Sequence, residues 1–267
     1  HEHGILSMHI RIAAILLLSL IAAGCGSDNR AGDVVTSVVT PRIQEIRESV
    51  DTVVPPPSEP LCVVSDEGIA LIIQFEIASE SYYNSKLQSP IWPGGQSGIT
   101  WGIGYDGGYA TSSRIRADWS ASRYAELLSA AAGITGMPAK ATLPKFKEAQ
   151  IALDLAKAVF AGATIPTYCA IAAKTFSNGW DRLPQKAKDA LVATVYNRGA
   201  GMNGSRRAEM RKLRDVCVPA GDLACMADEF RNMKRLWRGT DVGKGLAKRY
   251  EDTARYVIAE TEQRSAP

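Results

Sequence analysis

Residues 65–109 constrain this chain most, because their two halves obey different periods. The first half reads as a helix. Ser65 suits its N-cap, and Asp66 and Glu67 put negative charge in the first turn, where the helix dipole favours it. At about 100° per residue, Ile69, Ile72, Ile73 and Glu76 share one face. The one carboxylate in the body of the helix therefore lies at the end of its apolar stripe. Removal from water favours the protonated form of such a group, which suits a general acid. Beyond Glu76 the pattern changes. Tyr82-Tyr83-Asn84 begins a β-like run, Pro90 and Trp92-Pro93-Gly94-Gly95 force a turn, and residues 99–105 return as a glycine-rich strand. Glycines alternating with large residues let a backbone or a bulky ligand approach closely. A helix ending in a half-buried Glu, then a hairpin carrying Thr and Asp, is a glycosidase-like arrangement.

The N-terminal stretch reads as an export signal. Residues 1–7 resemble neither leader nor folded chain and are taken as an upstream extension. From Met8, Arg11 and a short apolar run lead to Ala22-Ala23-Gly24-Cys25, and residues 8–24 form a leader too short to span a bilayer as a mature helix. Small residues directly before Cys25 resemble a bacterial lipobox, which implies cleavage there and lipidation of the thiol. An ordinary signal peptide with a coincidental Cys is the alternative. Gly26, by resemblance to Gram-negative sorting rules, favours the outer membrane facing the periplasm. Residues 25–60, ending in Pro55-Pro56-Pro57-Ser58-Glu59-Pro60, read as a tether. The domain proper is assigned to residues 61–262.

Without Cys25, the cysteines are Cys62, Cys169, Cys217 and Cys225, an even set that in an exported chain suggests two disulfides in one of three connectivities. Cys217 and Cys225 bracket a Pro-Ala-Gly-Asp turn and are paired on that ground, leaving Cys62 with Cys169. Free buried thiols are the alternative. The three histidines, His1, His3 and His9, all precede the cleavage point. Their absence downstream removes Ser-His-Asp and Cys-His chemistry and argues against a zinc hydrolase. No metal and no cofactor is expected, and among enzymes that attack wall polymers a carboxylate-driven glycosidase remains.

Three stretches carry a family resemblance. Glu76, a hairpin, then Thr100-Trp101-Gly102-Ile103-Gly104-Tyr105 is similar to the Glu…Asp…Thr-Ile-Gly-Ile-Gly-His signature of phage-type lysozymes, a glycoside hydrolase family. Residues 183–199, with Asp189-Ala190-Leu191-Val192 and Tyr196-Asn197-Arg198-Gly199, resemble that family's central helix. Phe230 to Trp237 with Gly245-Leu246 and Arg249-Tyr250-Glu251 resemble its C-terminal motif. Position 85, where the family carries a catalytic Asp, is Ser.

The resemblance implies an α+β, lysozyme-like fold, mostly helical with a small β-hairpin lobe and a cleft between two lobes. It implies hydrolysis of the β-1,4 bond between N-acetylmuramic acid and N-acetylglucosamine, Glu76 protonating the leaving oxygen and Thr100 positioning the water. The family inverts, which calls for a second carboxylate roughly 6.5–9.5 Å away; Asp106 is the candidate, Glu80 the next. Tyr105, Asn197 and Trp237 are substrate-contact candidates, although Asn197 would serve equally as a helix-terminal residue and Trp237 as core. Glu76 is expected to be either protonated or paired with Arg238 or Arg249.

Between these motifs, residues 118–132 and 143–160 read as helices broken by Gly133 and Gly136-Met137-Pro138, and residues 164–180 as connective. Leu183, Ala187, Ala190, Leu191, Thr194 and Val195 mark a buried central helix. The formal charge of +3, with residues 205–249 richer in Lys and Arg than in acids, suits an anionic wall and offers no nucleic-acid motif. The expected partners are peptidoglycan and, through the lipid, a membrane; the chain is expected to be monomeric. A lytic transglycosylase using Glu76 alone, a non-catalytic wall-binding lipoprotein and a chitinase-like enzyme stand as alternatives.

Overall fold

The structure, a computed structural model, describes residues 62–240 and 243–265. The extension 1–7, the leader 8–24, Cys25 and the tether 25–60 lie outside the described residues. Within them the chain is mostly helical with one two-stranded antiparallel sheet, an α+β composition.

Helix α1 spans Asp66–Glu76, and the Ser65 hydroxyl accepts from the Gly68 N–H, as an N-cap does. Its deepest face is Gly68, Leu71 and Ile72, with Ile69, Ile73 and Glu76 half-buried beside it. The next stretch differs from the β-like reading. Ser79 caps a helical turn at Glu80–Tyr82, which continues as a wide π turn, Tyr83–Leu87. The Tyr83 ring is fully buried there with its hydroxyl on the Ile151 carbonyl, so burial of one aromatic overrides local strand preference.

The glycine-rich stretch is a hairpin rather than one strand. Strand β1, Thr100–Trp101, pairs with β2, Tyr105–Asp106, matching Thr100 with Asp106 and Trp101 with Tyr105. Gly102 and Gly104 turn the chain between them at φ 59° and 71°, a region in which a side chain is strained. A Cβ on Gly102 would also lie 2.8 Å from the Trp119 ring. On its other edge, Ile91 exchanges both backbone bonds with Thr100, each 2.8 Å.

Helix α2 spans Ser112–Asp118 and ends at Trp119, where the sequence suggested a helix opening; Thr111 is its cap. Short helical segments follow at Ala125–Ser129 and at Gly136–Thr142. Pro138 does not break the second, because it lies in a first turn whose N–H groups have no intrahelical partner. Helix α3 runs Leu153–Thr175, through residues read as connective. Its turn Phe160–Thr164 widens to π geometry directly before Pro166, which absorbs the missing N–H without ending the helix.

Helix α4, Gln185–Arg198, packs against α1, α3 and the C-terminal helix α6, Gly243–Ser265, and is buried on several sides from Ala187 to Val195. Helix α5, Leu223–Asn232, lies along α6. Disulfides join Cys62 to Cys169 and Cys217 to Cys225, with Cα separations of 5.6 and 5.5 Å. The first fixes the chain entering α1 against α3. The second closes a turn next to α5.

Candidate functional site

Glu76 is the last residue of α1, 19% exposed, and one of its oxygens receives a hydrogen bond of 2.5 Å from Arg249 on α6. The guanidinium is 6% exposed and lies over the Phe75 ring, 5.2 Å from its centroid. It is thus held between an aromatic face and a carboxylate, a geometry that suits a planar cation. Of the two expected partners Arg249 makes the pair; Arg238 instead lines a charged groove with Lys212, Arg231 and Lys234.

The Glu76 carboxylate borders a pocket of about 620 Å³, open mouth included. Its walls include Tyr82, Leu87, Ile91, Pro93 and the hairpin residues 100–104. Thr100, buried on β1, is in this lining, so the fold brings Glu76 and Thr100 to one cavity although 24 residues separate them in sequence. The sequence marked the hairpin glycines but not Tyr82 or Leu87. Their signal was concealed, because Tyr82-Tyr83 looks like strand and acts as a helical turn.

Asp106 faces Thr100 across the ladder, and side chains of directly paired residues leave the sheet on the same side. Both converge on Gly98. The Thr100 hydroxyl lies 3.4 Å from the Gly98 carbonyl, and the Asp106 carboxylate accepts from the Gly98 N–H at 3.0 and 3.1 Å and from the Gly108 N–H at 2.9 Å. A Cβ at position 98 would sit 2.3 Å from the Asp106 carboxylate, so only glycine admits this approach. Burial pushes the pKa of Asp106 up from the ordinary carboxylate value, and the two N–H groups offset part of that rise.

Asp106 lines a second pocket, with Tyr105, Arg114, Asp118 and Tyr168, and Gly104 belongs to the walls of both pockets. Tyr105 donates to Asp118 at 2.9 Å, and its ring packs against Trp101 and Trp119. Tyr168 and Tyr196 are in edge contact at 4.8 Å. Burial raises both hydroxyl pKa values first. The Glu76 charge raises them further, and that of Asp106 adds to the rise at Tyr168. Both phenols are therefore neutral, and Tyr168 shares the second pocket with Asp106.

Other candidates lie elsewhere. Asn197, near the end of α4, accepts at Oδ1 from the Tyr250 hydroxyl at 2.9 Å and is not in the Glu76 lining. Trp237 is half-buried under the Arg206 guanidinium, outside that lining too. Glu80 is exposed at the start of its helical turn. Compared with known proteins, the chain matches no family model and no curated protein.

Proposed function

We propose that the chain is a peptidoglycan hydrolase of the muramidase type, built as a lysozyme-like domain with its cleft along the hairpin. The observation that carries the reading is Glu76 and Thr100 on one pocket, the Glu fixed by a buried Arg. Glu76 takes up a proton on the oxygen that Arg249 leaves free and gives it to the glycosidic oxygen as the bond to the leaving sugar breaks. Asp106 takes a proton from a water that Thr100 orients, and the water attacks the opposite face of the ring. A carboxylate whose pKa is raised by burial is a better base at neutral pH than an ordinary one, which favours Asp106 in that role. Two disulfides among the described residues support an oxidising compartment, in keeping with export and lipidation at Cys25.

The second reading is a lytic transglycosylase using Glu76 alone. It draws support from Asp106, whose oxygens are engaged by backbone N–H groups. Digestion of purified sacculi decides between them. A reducing muramic end is expected, and Asp106→Asn should then lower the rate at least about a hundredfold. Anhydro-muramyl ends with an active Asp106→Asn variant would instead establish the transglycosylase. No cleavage by the parent protein would remove both.

A further inference from the structure

Charge is unevenly compensated around the end of α4. Among the described residues, five arginines of the C-terminal part hold carboxylates: Arg214, Arg231, Arg235, Arg249 and Arg255. Arg238 does not, and neither do four that cluster near the end of α4. Arg198, Arg206, Arg207 and Arg211 form no ion pair among the described residues, although they lie within 14 positions of one another. Their bonds go to carbonyls of the loop that joins them. Arg198 donates to the Arg206 carbonyl and Arg207 to that of Arg198, while Arg207 also reaches Gly199 at 3.4 Å. Arg211 donates to the Met202 and Gly204 carbonyls at 2.7 and 2.8 Å.

Neutral carbonyls use some of the N–H groups and cancel none of the charge; of the four, Arg211 also acts on a carboxylate, Asp215, which Arg214 already pairs. The Arg206 side chain makes no hydrogen bond among the described residues; it is exposed and stacks on Trp237 at 5.1 Å. Arg198 is only 7% exposed, and its Nε is buried without an acceptor. Trp237 Nε1 is a second buried donor without one. A buried guanidinium without an anion is costly, and a planar fork of N–H donors matches an oxyanion. Burial and the neighbouring charges of Arg198 and Arg206 depress the pKa of Arg207, as expected for cations crowded together. A chain of neighbouring residues connects the cluster to the Glu76 site. Arg198 follows Asn197, which is bonded to Tyr250, and Tyr250 follows Arg249, the partner of Glu76.

We propose that Arg198, Arg206, Arg207 and Arg211 form a docking site for the carboxylates of peptidoglycan's peptide side chains, connected by those residues to the pocket that holds the sugar. The assignment of the ligand rests on the muramidase reading. In that setting the arginines set affinity and register of the strand and take no part in bond cleavage.

Calorimetry on the full chain with a soluble disaccharide–peptide fragment tests this without requiring turnover. The fragment with free carboxylates should bind at least about tenfold more tightly than the same fragment with its carboxylates amidated. Arg206→Glu should abolish that preference and Arg206→Gln should reduce it, with melting temperatures near the parent's because the Arg206 side chain holds no part of the loop by hydrogen bonds. Arg207→Gln should also reduce it, provided the loop keeps its fold. Equal binding of the free and amidated fragments by the parent would overturn the proposal. Inorganic phosphate competing as well as the carboxylated fragment would overturn it too, in favour of a phosphate site. Cleavage of sacculi without carboxylate preference would remove the docking site and leave the enzyme. Preference without cleavage would leave the docking site and remove the enzyme.

Discussion

Helix α1 is held at its two ends by two different treatments of a carboxylate. At its start, Asp189 of α4 is fully buried and forms no ion pair among the described residues. It accepts instead from the Ser65 hydroxyl at 2.5 Å, the Ser65 N–H at 3.2 Å, Gln185 at 2.7 Å and Tyr256 at 2.9 Å. Gly68 leaves it room, for a Cβ there would lie 2.5 Å from the Asp189 carboxyl carbon. At its end, Glu76 has one cationic partner and borders a pocket. Helix α6 serves both ends, with Tyr256 at Asp189 and, two turns earlier, Arg249 at Glu76. A carboxylate surrounded by neutral donors from three helices is saturated and rigid. One held by a single guanidinium keeps capacity for a ligand. The difference separates an anchor from a reactive group, although both are half of a helix–helix contact.

The largest expected effect tests the reactive end. Glu76→Gln keeps the shape and an acceptor for Arg249 but removes the transferable proton. Digestion of sacculi should fall by about 10²- to 10⁴-fold. Arg249 loses its counter-charge, so a lower melting temperature is expected as well. A variant within about tenfold of the parent's rate would make Glu76 a second anchor and erase the contrast.

Next come two changes at the anchored end. Opening Cys62–Cys169 by replacing both with Ser removes a cross-link spanning 107 residues, worth about 4–5 kcal/mol in the chain-entropy model, against about 2–3 for the 8-residue separation of Cys217–Cys225. Because Cys62 lies just before Ser65, amide exchange should rise more at Ile69 than at Ile77; the reverse order would place the cross-link's effect at the wrong end. Asp189→Ala removes the acceptor that Ser65, Gln185 and Tyr256 share and should destabilise by about 3 kcal/mol, less than three full penalties because all three are partly solvent-accessible and Gln185 keeps the Val63 carbonyl. Turnover per folded molecule should stay near the parent's. A loss of rate as large as that of Glu76→Gln would show that the anchor positions the reactive end.

How far the sequence reveals this contrast depends on the range of the forces involved. The cap of α1, its span and the place of Glu76 are local matters of spacing and dipole, and they are legible in residues 65–76. The cysteine pairing is legible too, because a turn of Pro, Ala, Gly and Asp sets its short loop. Elements decided by distant packing are not. Tyr83 leaves the strand pattern for a burial site formed by Ile151, and α3 continues through Gly162 and Pro166 because a π turn accommodates them. Asp189 reads as one polar residue on a helix, and its four bonds come from Ser65, Gln185 and Tyr256, mostly far away in sequence.

Asp106 lies between the two cases, and its acid titration is the smallest effect and the finest test. Like Asp189 it is engaged by neutral N–H groups, and like Glu76 it borders open space. Burial raises its folded-state pKa above the ordinary 3.8 and outweighs the N–H donors. The folded protein then binds this proton more tightly than the unfolded chain does. Its contribution is therefore neutral below 3.8, becomes unfavourable as pH rises through the window just above that value, and stays so at neutral pH. Asp106→Asn keeps an oxygen for the Gly98 and Gly108 N–H groups and does not titrate. The stability of the parent minus that of the variant should accordingly decrease as pH rises through the window and be flat beyond it, measured by denaturant unfolding at a series of pH values. An increase in the window just below 3.8, with no fall above it, would mean that the N–H groups prevail over burial and hold the carboxylate ionised, as befits a cap. Asp106 would then belong with Asp189, and Glu76 would stand as the reactive carboxylate without a second.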